Sequence, residues 1–318
     1  MPATELELRV RSLAEADLAE AKSIFHLAFG TFLGLPDPTQ FLQDRDYIRT
    51  RYHADPEAAL AATIDEQLVG TNFATNWGSV GFFGPLTVRP DFWDRGVAKR
   101  LLEPTMELFD RWGTKHAGLF TFAHSTKHIG LYQKFGFWPR FLTAIMSMQV
   151  RRIEPQAQAL KYSELIGAER DNCIDACRQL TNGVYEGLDV QSEIHAVANQ
   201  ALGDTLLLWD DSRLQGFAVC HCGRDTEAGQ DTCYVKFGAV QPGPSAEQSF
   251  DRLLDACESF AFTRGLSRLE AGVNLERHNA YQQLLARGFR TAIQGVAMHR
   301  PNDPGYNHSD VYLIDDWR

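Results

Sequence analysis

The residues best placed to do chemistry lie in one stretch of the chain. A strand-like run closes on Leu86-Thr87-Val88, the turn Asp94-Arg95-Gly96-Val97-Ala98 follows, an amphipathic segment starts at once, and Tyr132 stands just before Gly136-Phe137. A strand feeding a glycine-containing turn that opens a helix aims several backbone N–H groups, and the positive helix end, at one spot. A fold cradles a pyrophosphate in this way. The small residues Gly96 and Ala98 let a ligand come close to the backbone.

The surrounding elements must hold these parts in place. Hydrophobic spacing predicts a strand over 8–11, a helix over 14–32, a second helix over 39–52, and a hairpin of 58–64 with 67–77 turning on Asp65-Glu66. A central strand is expected over 81–88, and Gly84-Pro85 interrupts it. Proline cannot donate a ladder hydrogen bond and glycine marks a bulge, so pairing should fail there. A helix over 97–114, a strand over 118–124, a tyrosine-bearing helix capped by Ser125 or Thr126, and a strand over 139–150 complete the run.

The chain then repeats itself. Shifted by 152 positions, Val88 and Pro90 fall on Val240 and Pro242, Arg100-Leu101-Leu102 on Arg252-Leu253-Leu254, and Gly136-Phe137 on Gly288-Phe289. Self-similarity at domain length means duplication, so one unit is expected over 1–152 and a second over 159–318, joined by a polar linker. In the second unit, strands are expected over 203–209, 214–222, 233–240 and 268–273, helices over 247–264 and 278–287, and a last docking strand over 311–314. The copies differ where the chemistry sits: Glu247-Gln248-Ser249-Phe250 replaces Arg95-Gly96-Val97-Ala98, and Leu284 replaces Tyr132. A carboxylate repels an anion and Phe250 blocks the approach to the backbone, so one site is expected, in the first unit.

This order of strand, bulge, glycine turn, helix, strand and tyrosine resembles the GNAT superfamily of N-acetyltransferases. Their CoA loop reads Arg/Gln-x-x-Gly-x-Gly/Ala and their tyrosine helix ends Tyr-x-x-x-Gly-Phe. Gly96 and Ala98 fill the small slots, Trp93 stands in the Arg/Gln slot, and Ser125 stands where asparagine is frequent. The resemblance implies an α/β (α+β) fold of two tandem GNAT-like domains. Each would be a mixed, mostly antiparallel twisted sheet, splayed at a bulged central strand and flanked by helices, with the first domain catalytic and the second degenerate. It further implies an acetyl-CoA-dependent N-acetyltransferase in which a small amine attacks the thioester directly. Leu86, Thr87 and Val88 would meet acetyl-CoA through their backbone, Asp94, Arg95, Gly96, Val97 and Ala98 would form the phosphate turn, and Ser125 and His128 would meet it at the start of the tyrosine helix. Tyr132 is the candidate general acid, since a phenol near pKa 10 keeps its proton at neutral pH. No carboxylate lies in 82–88; His124 is a candidate base, a structural donor role for it and a water chain stand beside that reading, and an amine of low pKa would need no base. The alternative is a non-catalytic acyl-CoA-binding sensor or assembly module.

Charge and composition narrow the classes. Net charge is −10; residues 1–150 carry 15 Lys and Arg against 17 Asp and Glu, and 151–318 carry 16 against 24. No basic stripe is available to a phosphate backbone, so nucleic acid is not an expected partner. The start lacks a basic segment followed by an apolar one, and no long apolar run is present, so a cytoplasmic protein without a membrane partner is expected, as a monomer or homodimer. All six cysteines lie beyond residue 170, and Cys220-His221-Cys222 with Cys233 invites a metal reading. The spacing matches no common zinc pattern, and no metal is expected.

Overall fold

The computed structural model describes residues 7–151, 159–211 and 213–318. In the first half the order is β1 (Leu8–Ser12), α1 (Leu18–Phe32), α2 (Tyr47–Ala54), β2 (Ala59–Ile64), β3 (Gln67–Trp77), β4 (Val80–Phe83), β5 (Thr87–Val88), α3 (Val97–Trp112), β6 (His116–Thr121), α4 (Thr126–Gln133) and β7 (Trp138–Gln149). The second half runs β8 (Leu160–Lys161), α5 (Ala168–Val184), α6 (Gln191–Asn199), β9 (Gly203–Asp210), β10 (Arg213–Gly223), β11 (Gly229–Val240), α7 (Ala246–Thr263), β12 (Arg268–Asn274), α8 (His278–Ala286), β13 (Arg290–Arg300) and β14 (Leu313–Ile314).

Local chemistry explains most boundaries. Asp65 and Glu66 both take positive φ, 49° and 65°, the geometry a two-residue hairpin turn requires, and β2 and β3 pair antiparallel across it. The helix expected over 39–52 is shorter: α2 starts at Tyr47 because the Asp46 carboxylate caps it, accepting from the Arg49 N–H at 2.9 Å. Leu42, at φ 45°, has already turned the chain out of helical geometry. The strand expected over 81–88 is divided into β4 and β5 at Gly84-Pro85.

Twelve strands follow one another in the order β1-β2-β3-β4-β6-β13-β7-β12-β11-β10-β9-β8, with β5 attached to β3 and β14 to β11. Two pairs are parallel, β4 with β6 and β11 with β12; the rest are antiparallel. This is a mixed α/β fold in which helices flank a mostly antiparallel sheet. The sequence gives no sign of how its middle is built. The two halves exchange their last strands: β13 lies between β6 and β7, and β7 pairs in turn with β12.

The packing follows the exchange. Beneath α3, Val97, Leu101, Leu102, Leu108 and Phe109 share a core with Phe83, Leu119 and Phe137, and also with Val296 and Met298 from β13. A second core joins Trp77 and Phe82 to Phe217, Phe237 and Trp317, with the Trp77 ring edge-on to Phe82 at 4.7 Å and to Phe237 at 5.3 Å. Each such side chain contributes roughly 1.5–3 kcal/mol on burial. The first half therefore depends on the second for part of its own interior. Expressed alone, residues 1–151 should be insoluble or lack a cooperative melt, and co-expression with 159–318 should restore a soluble complex; gel filtration with thermal unfolding of the two preparations checks this.

Burial holds several histidines of this frame away from the charged form, among them His116, His221 and His299. His299 packs against His116, with Nε2 of His116 3.2 Å from Nδ1 of His299, and Nδ1 of His299 also lies 3.0 Å from the Asp303 carbonyl oxygen. His221 has no hydrogen-bond partner for either ring nitrogen among the described residues. Burial pushes both His299 and His221 down to about 3. The unfolded chain takes up these protons near pH 6.5, so the stability they contribute is complete above that pH and is lost as pH falls toward 3. Urea titrations should show stability declining from pH 6.5 to pH 5, and His299→Asn should flatten that decline.

Candidate active site

The site begins with a slip in the ladder. Ala74 pairs with Phe83 and Thr71 with Thr87, so four steps along the outer chain match three along β3, and one extra residue bulges out at Gly84-Pro85-Leu86. The Gly84 N–H still reaches the Phe73 carbonyl at 2.8 Å, and the Arg89 N–H reaches that of Val69 at 2.8 Å. In this register the Thr87 N–H is directed at β3, and the N–H groups of Leu86 and Val88 turn to the open side. The Thr87 hydroxyl is also used inside, 2.9 Å from that of Thr71. On the open side, β6 follows β4 only over His116–Gly118, while β5 pairs with β3 alone. A wedge separates β5 from β6, edged by free backbone donors. Nε1 of Trp93 donates to the Val88 carbonyl at 2.7 Å, which ties the start of the turn to β5 and gives the residue in the Arg/Gln slot a defined task.

The glycine turn lies directly beyond. Asp94 at φ 64° and Gly96 at φ 78° both adopt the left-handed conformation, and a side chain at Gly96 would meet no atom within 4 Å. Backbone conformation, not crowding, requires glycine there. Gly96 is the N-cap of α3 and offers no side-chain cap, so among the described residues the N–H groups of Val97, Ala98 and Lys99 have no protein acceptor. Gly70 on β3 brings this helix end close to β5: a Cβ there would lie 2.7 Å from the Thr87 carbonyl and 3.3 Å from Val97 and Leu101. Arg95 lies over the Phe92 ring at 5.0 Å, and the exposed Lys127 reaches Asp94 at 2.6 Å, linking the turn to α4.

Ser125 caps α4 by accepting from the His128 N–H at 3.4 Å, as expected for that position. One helical turn on, Tyr132 is buried against Phe83, ring centroids 5.6 Å apart, in the core that holds Val97 and Leu101 and that Leu86 and Val88 pack against. Burial raises the phenol well above its ordinary value, and no hydrogen bond to another residue contributes to that shift. The hydroxyl therefore keeps its proton throughout the neutral range. His124 is exposed and stacks on Phe32 at 5.7 Å, while the half-buried His128 lies 5.0 Å from the same ring. Burial, then Lys127 and His124, lower His128 and favour its neutral form. The fold thus gathers Leu86, Val88, the 94–98 turn and Tyr132 around one wedge. It sets Ser125, His128 and His124 at the α4 end, His124 against α1.

One contributor carries no local sequence signal. Arg51 on α2 donates to the Gly84 carbonyl, and its other nitrogens hold the Glu227 carboxylate at 3.0 and 3.1 Å and the Arg318 carbonyl.

The corresponding place in the second half is filled. Gly238 and Ala239, 152 residues after Leu86 and Thr87, pair with Ile314 and Leu313 of β14. Arg277, 152 residues after Ser125, is fully buried and donates to the carbonyls of Leu313 at 3.0 Å and Asp315 at 2.9 Å and to the Asp315 carboxylate at 2.6 Å. Leu284 and Phe250 are fully buried, and Glu247 stands in the first turn of α7. The chain's own tail lies along the edge that the first half leaves open.

Comparison with known proteins fits this geometry. Residues 22–137 match the Acetyltransferase (GNAT) family. That span holds the bulge, the turn, Arg51 and Tyr132. Among curated proteins, none matches the sequence. Among solved structures, an acetyltransferase candidate from Pyrococcus horikoshii is similar with a TM-score of 0.70 at 15% identity, over 98% of this chain and 95% of its own. A GCN5-related N-acetyltransferase from Sphaerobacter thermophilus is similar at 0.59 and 15%, over 95% of this chain and 98% of its own. The GCN5-related glucosamine N-acetyltransferase region of a fungal multi-domain β-N-acetylglucosaminidase gives 0.62 and 12%, over 93% of this chain and 38% of that one. The fold is therefore that of GNAT proteins, and the likeness to the first two runs through both halves.

The unpartnered amides place a specific demand on the turn. The double variant Arg95→Glu, Gly96→Gln, which installs the second half's residues, puts a side chain at φ 78° and a carboxylate beside the helix end. In a thermal-shift titration with CoA, the unaltered chain should rise in melting temperature and the double variant should show little of that rise.

Proposed function

We propose that this chain is a cytoplasmic acetyl-CoA-dependent N-acetyltransferase acting on a small amine, with its site in the first half. The observation that supports this reading is one neighbourhood: the side chains of Leu86, Val88, Val97 and Tyr132 pack in a single core, with free backbone donors at Leu86 and Val88 and an uncapped helix start at 97–99 beside it. These groups fit the requirements of CoA, an anionic diphosphate joined to an amide-bearing arm. Acetyl-CoA supplies the acyl group as a thioester open to attack by an amine. The amides of residues 96–99 would bind the diphosphate, Arg95 and the exposed Lys127 adding charge at its edge. The N–H groups of Leu86 and Val88 would hold the arm as an added strand and direct the carbonyl to a fixed donor.

Transfer then needs two protons moved. The amine nitrogen bonds to the carbonyl carbon, the carbon–sulfur bond breaks, Tyr132 gives its proton to the leaving sulfur, and the amine loses one to water or to His124. No carboxylate lies on 82–88 to take it, so an amine that is neutral at working pH is the natural acceptor. The second half, its edge occupied by the tail, serves as scaffold. The same missing carboxylate favours the rival reading, an acyl-CoA-binding module without turnover.

Tyr132→Phe separates the two. For an enzyme, kcat should fall by about 10–100-fold while the Kd for CoA stays within about threefold, as read by free-thiol release over an amine panel and by calorimetry. A chain that binds CoA and releases no thiol with any amine is a binding module.

A further inference from the structure

The hydrogen bonds of Arg51 point beyond structural support. Its guanidinium is almost entirely buried and meets three groups from distant parts of the chain: the Gly84 carbonyl, the Glu227 carboxylate before β11, and the Arg318 carbonyl in the tail. Glu227 is itself fully buried and held by Lys236 at 2.9 Å; Lys236 reaches Glu193 at 3.1 Å, and Glu193 accepts from Nε1 of Trp77 at 3.2 Å. Four hydrogen bonds thus fix the orientation of the guanidinium within a buried charged network.

The position of Gly84 is what gives this contact a consequence. Gly84 sits at φ 149°, a backbone conformation that residues with a side chain rarely adopt; its N–H is held by the Phe73 carbonyl at 2.8 Å, and no atom lies within 4 Å of where its Cβ would be. Pro85 follows and has no N–H, so the next donor is that of Leu86. Because the proline ring fixes its φ, only the Pro85 ψ rotation separates the Gly84–Pro85 peptide plane from the Leu86 N–H, and holding the Gly84 carbonyl restrains the path of the chain to the first free donor of the wedge. A charge-assisted hydrogen bond from a rigid fork is the strongest available means of holding it.

We infer that Arg51 is a positioning residue for acyl transfer, and that the second half and the tail act on the first site through it. This rests on the proposed transferase reading. Lysine at this position keeps the charge beside Glu227 but has no fork to reach the Gly84 and Arg318 carbonyls together. An error of about 1 Å at the bulge changes rate far more than affinity, because affinity is carried mainly by the phosphate turn.

The test compares Arg51→Lys with Arg287→Lys in the full chain. Arg287 is a half-buried ion-pairing arginine, held by Asp251 and Asp255 on α7, away from the wedge. Arg51→Lys should lower kcat by about 10–100-fold with the CoA Kd within about fivefold, and should speed amide hydrogen exchange at Gly84, Thr87 and Arg89, whose N–H groups hold the bulge to β3, in the free protein. Arg287→Lys should lower the melting temperature while leaving kcat and that exchange unchanged. If Arg51→Lys does not fold, Glu227→Gln, which removes the anchoring charge, should give the same pattern with smaller changes. Equal kcat in the two lysine variants, or unaltered exchange at Gly84, Thr87 and Arg89, overturns the assignment. Absence of transfer by the unaltered chain overturns the transferase reading, and the exchange measurement still decides whether Arg51 controls the bulge.

Discussion

The exchange of β7 and β13 is the constraint on which the rest of the molecule depends. A strand edge exposes a row of unpaired N–H and C=O groups, and β6 and β12 each satisfy theirs with a strand from the other half. Once the sheet is continuous, Val296 and Met298 must lie under α3, Trp77 must meet Phe237, and charged side chains between the halves must be matched before they are closed off from water. Burial alone raises Glu270, and Arg318 and Arg45 outweigh it to hold the carboxyl down at about 2. Taking one member from such a network leaves its partner buried and unpaired, a cost of about 3–5 kcal/mol. The network therefore fixes how the halves sit more firmly than it stabilises either half.

The two halves treat the corresponding sheet edge in opposite ways. In the first, a one-residue slip and a positive-φ glycine leave donors without partners and a helix start without a cap. In the second, Leu313 and Ile314 lie on the equivalent edge, with Arg277 holding the carbonyls on either side of Ile314. A tethered segment competes at an effective concentration of about the millimolar range or above, so an untethered ligand of ordinary affinity does not displace it. The substitutions Leu284 for tyrosine and Glu247 near the helix start agree with an edge that serves only packing.

Much of the site could be read from residue order because its parts are local. A turn needing positive φ selects glycine, a capped helix follows a serine, and a Gly-Pro pair breaks a ladder; each signal lies within a few residues of its effect. The split of the central strand and the hairpin on Asp65-Glu66 are of this kind. Helix α2 was overestimated because apolar spacing continues through 39–46, where the Asp46 cap sets the boundary instead. Thr87 shows a finer limit: alternation along a strand says which residues share a face, and only the slipped register says that Leu86 and Val88, rather than Thr87, turn their amides outward. The exchanged strands were not visible at all. β7 and β13 carry the apolar pattern of an internal strand, and that pattern is satisfied whichever strand lies alongside. Arg51 was silent for a related reason, since its partner Glu227 is 176 residues away and buried charge has no local signature.

The placing of β13 also has a consequence during synthesis. β6 is complete by residue 121, yet the strand that covers its free edge spans 290–300. At about 5–20 residues per second a ribosome spends on the order of 10–30 s between them, and until then the nascent wedge carries an unguarded sheet margin and an interior lacking two of its apolar side chains. Maturation of the amino-terminal half in the cell is thus timed by the arrival of the carboxy-terminal one, and a chaperone that shields sheet margins would find its target in that interval.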